Sequence, residues 1–198
     1  MPQQQSAPIV SVAYHSGYGH TVVLAEAVRS GAAGAGAVAH LIKVDEITTE
    51  QWSILDSSDA IIFGAPTYMG TASSAFHVFA EATSKRFMGP WRDKLAAGFT
   101  NSGGKSGDKM NTLQYFTVLA AQHGMHWVSL GLAPGWNSSQ ASENDLNRLA
   151  FYLGAGAQTD VDQGAEAVHK ADVATAEHLG RRVTETAAVF RAGRAATA

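Results

Sequence analysis

Short, β-branched runs alternate with segments of helical period along the first two thirds of this chain, and no other feature restricts its fold so strongly. Ile9-Val10-Ser11-Val12-Ala13-Tyr14 is almost continuously apolar, as a strand covered on both faces must be. From Gly19 to Gly34, residues Val23, Leu24, Ala27, Val28 and Gly31 recur three and four apart, the spacing of one helical face. Val38 to Val44 reads as a second strand, and Thr49 to Leu55, opened by a threonine cap, as a short helix. Ala60-Ile61-Ile62-Phe63-Gly64-Ala65 is the strongest strand and is expected to end at Pro66. A helix over Ala72–Ser84, a strand over Leu95–Thr100, a helix over Gly107–His123 and a fifth strand over His126–Leu130 follow.

Strands separated by helices of this length form βαβ units, hence a parallel sheet with helices on both faces. Right-handed crossovers leave two common doubly wound orders, 3-2-1-4-5-6 and 2-1-3-4-5. Beyond Leu130 lie a Gly/Ser/Asn-rich loop, Gly131–Ser142, containing Trp136, and one long helix, about Val168 to Ala192, with Val173, Ala176, Gly180, Val183, Ala187 and Phe190 three and four apart. Residues 131–198 therefore read as an extension that closes a site or builds an oligomer, with a solvated Arg-rich end.

Composition narrows the chemistry. The length of 198 residues fits one domain, and 14 Lys+Arg against 17 Asp+Glu give a net charge of −3, with no basic arm to grip nucleic acid. With no cysteine, thiol catalysis, Fe–S clusters and cysteine-held zinc are excluded, so redox chemistry would need a borrowed cofactor. No pair of the eight histidines has metal-ligand spacing with carboxylate help. No apolar run approaches the ~20 residues of a membrane span, and the polar tail Met1–Pro8 lacks the character of a secretory signal, so a cytoplasmic location is expected.

In a doubly wound sheet, ligands bind beyond the carboxyl ends of the strands. After the first strand, His15-Ser16-Gly17-Tyr18-Gly19-His20-Thr21 leads directly into a helix. Two glycines let the backbone amides converge, the helix N-terminus adds about half a positive charge, and hydroxyls flank the loop, which makes a phosphate cradle. The dinucleotide fingerprint fails because its third glycine position is Val22, and a P-loop fails because its first glycine falls at Phe99. The acids that a Mg²⁺-holding receiver domain needs after strand one are absent. Ala65-Pro66-Thr67-Tyr68-Met69-Gly70 after the third strand and Asn101-Ser102-Gly103-Gly104-Lys105-Ser106-Gly107 after the fourth supply amides, hydroxyls and an aromatic ring. Together they suit a flat heteroaromatic ligand with polar edges.

The segments Ser16-Gly17-Tyr18-Gly19-His20-Thr21, Asp59 to Gly70, Lys94 to Phe99 and His123-Gly124-Met125 resemble the flavodoxin-like NAD(P)H:quinone oxidoreductases of the WrbA type. The resemblance covers about Ile9 to Gly131. It implies a flavodoxin-like doubly wound five-stranded parallel sheet, order 2-1-3-4-5, forming a single FMN-binding domain over residues 9–198. It also implies noncovalent FMN, a homodimer or homotetramer, NAD(P)H as donor and a quinone-like acceptor. By position, Ser16, Gly17, Tyr18, Gly19, His20 and Thr21 would hold the FMN phosphate, with Tyr18 also lining the nicotinamide site. Pro66, Thr67, Tyr68, Met69 and Gly70, with Asn101, Ser102, Gly103 and Gly104, would hold the isoalloxazine and ribityl. His123 would sit near the flavin as the catalytic candidate. Where the family sets a Trp to wall the acceptor pocket, this chain has Arg86, with Phe87 and Trp91 nearby.

The expected activity is two-electron reduction of the acceptor by NAD(P)H. An electron carrier that binds FMN without substrate turnover is the alternative, and the mild charge argues against it, because such carriers are usually strongly acidic. A scaffold that has lost FMN is the third possibility.

Overall fold

The computed structural model describes residues 6–197, so residues 1–5 of the polar tail fall outside the described residues. In chain order the elements are β1 (Ile9–Tyr14), α1 (His20–Gly34), β2 (Val38–Lys43), α2 (Thr49–Ser57), β3 (Ala60–Tyr68), β4 (Thr71–Ala72) and α3 (Ser74–Ala82). They continue as β5 (Leu95–Ser102), α4 (Lys109–Gln122), β6 (His126–Trp127), β7 (Ala155–Gln158) and α5 (Lys170–Thr197). The parallel sheet runs β2-β1-β3-β5, with β6 and β7 sharing the fifth position, so the expected 2-1-3-4-5 order holds.

Side chains of successive strand residues point to opposite faces, and here both faces are apolar. Val10, Val12, Ala60 and Ile62 pack with Leu24 and Val28 of α1 and Leu179 and Val183 of α5. Ala13, Ile61, Phe63 and Ala65 pack on the other face with Leu55, Phe76, Phe79, Leu113 and Phe116. This two-sided burial is why the strands read as continuous apolar runs. Helix α2 is opened by the Thr48 cap: the Thr48 hydroxyl accepts from the Gln51 amide at 3.3 Å, and the Gln51 side chain accepts from the Thr48 amide at 2.9 Å.

Three expectations are corrected. Strand β3 does not stop at Pro66 but continues to Tyr68. Pairing with β1 ends at Gly64, whereas Pro66 still lies opposite Asn101 of β5. The proline thus sits where one neighbour has left, and its missing N–H breaks no ladder bond.

The fifth strand is not His126–Leu130 but two short pieces. β6 pairs with Leu95 and Ala96, and β7 pairs with Phe99 to Ser102. Residues 131–198 therefore complete the sheet rather than only extend it. The Arg-rich end is not simply solvated either, since Arg191 pairs with Asp59 at 2.8 Å.

Helix α5 lies on α1 at backbone distance. A Cβ on Gly31 would come within 1.9 Å of the Glu177 carbonyl, and one on Gly180 within 1.9 Å of the Val28 carbonyl. The two glycines of the apolar stripes are thus the contact point of the helix pair.

Candidate functional site

The carboxyl ends of β1, β3, β5 and β7 open into a cavity of about 390 Å³, within the usual range for small-molecule sites. Tyr18, His20 and Thr21 line it from the first loop, Pro66, Thr67 and Tyr68 from β3, and Asn101, Ser102 and Gly103 from β5. Thr159 and Val161, just past β7, form the remaining wall. No Asp, Glu, Lys or Arg is in the lining.

Gly19 caps α1 with φ +88°, a left-handed conformation that a side chain would strain. It offers no side-chain cap, and the first turn contains no acid, so the positive end of the helix is left for a ligand. Ser16 Oγ accepts from the Val22 amide at 3.2 Å, which fixes the loop against the helix. His20 Nε2 donates to the Gln163 carbonyl at 2.8 Å and ties this loop to the segment after β7. Tyr68 lies over Gly17, where a Cβ would stand 2.5 Å from the phenol oxygen. Tyr18, 80 % exposed, meets Tyr68 edge to face with centroids 6.1 Å apart. Burial and the neighbouring Tyr18 hold the Tyr68 phenol above its ordinary pKa, so it remains a neutral donor.

Met69 and Gly70, with φ 47° and 89°, form a two-residue turn between β3 and β4, the geometry of a tight hairpin. Both are brought to the site's edge, but neither lines the cavity. Thr67 Oγ1 is shared between Thr100 Oγ1 at 2.8 Å and Thr112 Oγ1 at 2.7 Å, which locks the end of β3 to β5 and α4. Asn101 Oδ1 accepts from Thr159 Oγ1 at 3.1 Å, leaving the amide NH₂ for a ligand.

Beneath the Ser102–Gly104 segment lies Lys109, fully buried. Its Nζ donates to Ser102 Oγ at 2.7 Å and to the Gly104 carbonyl. Burial lowers its pKa to about 8, with Asp108 and Asp172 opposing the shift and Arg148 adding to it. Gln158 Nε2 donates to the Gly103 carbonyl at 3.2 Å. Asp172 receives Arg148 through two bonds, 2.8 and 2.7 Å, and the Gln158 amide at 3.0 Å.

His123 is not brought to this cavity. It ends α4 near the amino ends of the strands, a helix length of roughly 20 Å away at ~1.5 Å per residue. There it is buried, bonded to Thr83 Oγ1 at 2.8 Å and packed on Trp91. Burial lowers its pKa and favours the neutral ring. Trp91 is itself core, and neither it nor Phe87 lines the cavity. Thr159, Val161 and Lys109 are the residues that reading the sequence missed. The first two follow an Ala-Gly-Ala-Gln strand with no β-branched residue, and the third is an ordinary helix-start lysine by sequence.

Sheet order, glycine-rich first loop and neutral polar cavity together define a flavodoxin-like protein. A family model for NADPH-dependent FMN reductase matches residues 42–133. The chain is 44 % identical over 176 residues to Flavodoxin FldP of Pseudomonas aeruginosa, covering 87 % of this chain and 92 % of that protein. It is 32 % identical over 198 residues to an NAD(P)H dehydrogenase (quinone) of Azorhizobium caulinodans, covering 90 % and 96 %. The crystal structure of a WrbA-like flavodoxin from Agrobacterium tumefaciens matches with a TM-score of 0.73 and 40 % identity, over 92 % of this chain and 99 % of that one. The chain belongs to the flavodoxin-like NAD(P)H:quinone oxidoreductase family of the WrbA type, whose cofactor is FMN and whose electron donor is NAD(P)H.

Proposed function

We propose that the chain binds FMN in this cavity and reduces a quinone-like acceptor by two electrons at the expense of NAD(P)H. The observation that carries the reading is the convergence of three donor-rich loops and an uncapped helix N-terminus on one cavity whose described lining holds no Asp, Glu, Lys or Arg. That donor set fits the group. A helix end receives a phosphate, and amide and hydroxyl donors receive the polar edge of a flat ring. Ser16 to Thr21 take the phosphate, and Pro66 to Tyr68 with Asn101 to Gly103 take the ring and ribityl, with Met69, Gly70 and Gly104 beside them in the same loops. FMN, when bound, supplies the acceptance and delivery of a hydride. The chain's own groups orient and stabilise. Asn101 and Ser102 offer donors where negative charge would develop, and exposed Tyr18 covers the face open to donor and acceptor.

Titration of the protein with FMN should quench flavin fluorescence to a 1:1 end point, and steady NAD(P)H oxidation should depend on quinone concentration. Thr21→Glu puts a carboxylate beside the phosphate. At ~4 Å and an effective dielectric near 20 the repulsion is about 4 kcal/mol, so FMN affinity should fall by roughly 1,000-fold. Unchanged affinity would refute the phosphate assignment.

The 44 % identical relative named a flavodoxin favours a second reading, an electron carrier. Reduced flavin that stays inert toward quinones but passes electrons to a redox protein would establish it.

A further inference from the structure

Lys109 is a buried cation with a task that packing alone does not explain. Its side chain is fully buried, yet its two hydrogen-bond partners are the Ser102 hydroxyl and the Gly104 carbonyl, both neutral. The carboxylates around it are Asp108 and Asp172, and Asp172 is already engaged by Arg148 through two bonds. The buried group thus carries a positive charge next to a cavity whose described lining includes no Lys or Arg.

The hydrogen bonds have a direction. An ammonium group only donates, so Ser102 Oγ is an acceptor toward Lys109, and the hydroxyl proton is left for the cavity that Ser102 lines. The Gly104 carbonyl is turned onto Nζ, and in a trans peptide the following amide, that of Lys105, points the opposite way. The Gly103 carbonyl is likewise turned toward Gln158, which sends the Gly104 amide away from Gln158. Carbonyls are drawn onto Lys109 and Gln158, and donors are left over for a ligand.

We infer that Lys109 is a positioning residue that presets these donors and supplies the positive charge favouring reduced FMN over oxidised FMN. The inference rests on FMN occupying the cavity. A hydride brings two electrons and one proton, so its arrival adds one negative charge to the ring, and a buried cation behind Ser102 stabilises that charge with little screening.

The test compares FMN-loaded wild type with Lys109→Met, Lys109→Gln and Lys109→Arg. Oxidised FMN affinity is read by fluorescence quenching, and the two-electron midpoint potential by anaerobic spectrophotometric titration. Lys109→Met should bind oxidised FMN more weakly, because Ser102 and Gly104 are no longer held, and reduced FMN more weakly still. Its preference for reduced over oxidised FMN should fall at least tenfold, a potential lower by ~30 mV. Lys109→Gln should fall with it, and Lys109→Arg should stay near wild type. An unchanged potential in Lys109→Met, or equal losses of affinity for both redox forms, overturns the inference while FMN binding stands. Should Lys109→Met not fold, Lys109→Gln carries the same comparison. A wild-type protein that takes up no FMN overturns the underlying reading, and the inference with it.

Discussion

Lys109 also leaves a signature in the protein without cofactor. Its pKa in the fold, about 8, lies below the ~10.4 of an exposed lysine. Between those values the unfolded chain holds the extra proton, so this group makes stability rise with pH across that window, and the burden of the buried charge is fully present below it. Urea midpoints measured from pH 7.5 to 10 should therefore climb in wild type relative to Lys109→Met. Parallel pH profiles would show that the ammonium is solvated. At this scale the conformation of the first loop was well legible, because Gly19 acts through its own backbone and the Ser16 hydroxyl reaches only to the adjacent start of α1. His123 was not. Its position depends on which end of α4 it occupies, and that end faces Trp91 and Thr83 rather than the cavity.

Among the elements, the α1–α5 pair is the least forgiving. Gly180 meets the backbone of α1, not a side chain that could turn aside. Gly180→Leu must separate the helices and uncover Leu179 and Val183, so a loss of at least ~3 kcal/mol is expected, seen as a lower urea midpoint. A loss below ~1 kcal/mol would mean that α5 is loosely held. Periodicity placed both helices and both glycines in their stripes. It could not show that the stripes face each other, since residues 31 and 180 are brought together only by the sheet between them. Strand β7 escaped notice for a related reason. Its Gly156 is demanded by Phe151, whose ring would lie 2.2 Å from a Cβ there, and not by any local strand preference.

For the whole molecule, the buried Arg148–Asp172 pair joins the segment after the sheet's interruption to α5 and, through Gln158, to β7 and the cavity wall. Asp172→Ala would leave Arg148 charged, buried and unpaired. The expected cost is about 3–5 kcal/mol, with weaker FMN binding because Gln158 no longer holds the Gly103 loop. Calorimetry and FMN titration of the same variant check both parts; a stable variant with wild-type affinity would show that the pair is dispensable. No helix among the described residues is long and apolar enough to cross a membrane.

The alternation of strand and helix, the parallel sheet, the glycine-rich loop that opens α1 and the need for a borrowed redox cofactor were legible in the sequence alone. Each of these follows from the period of apolar residues or from the chemistry of a few consecutive ones, and both are local properties of the backbone. Tertiary packing alone divides the fifth strand, completes the cavity with Thr159 and Val161, sets His123 near the amino ends of the strands and places Lys109 beneath the site. Those depend on residues distant along the chain meeting under close packing, where the volume of each side chain, rather than its neighbours in sequence, fixes what can lie beside it.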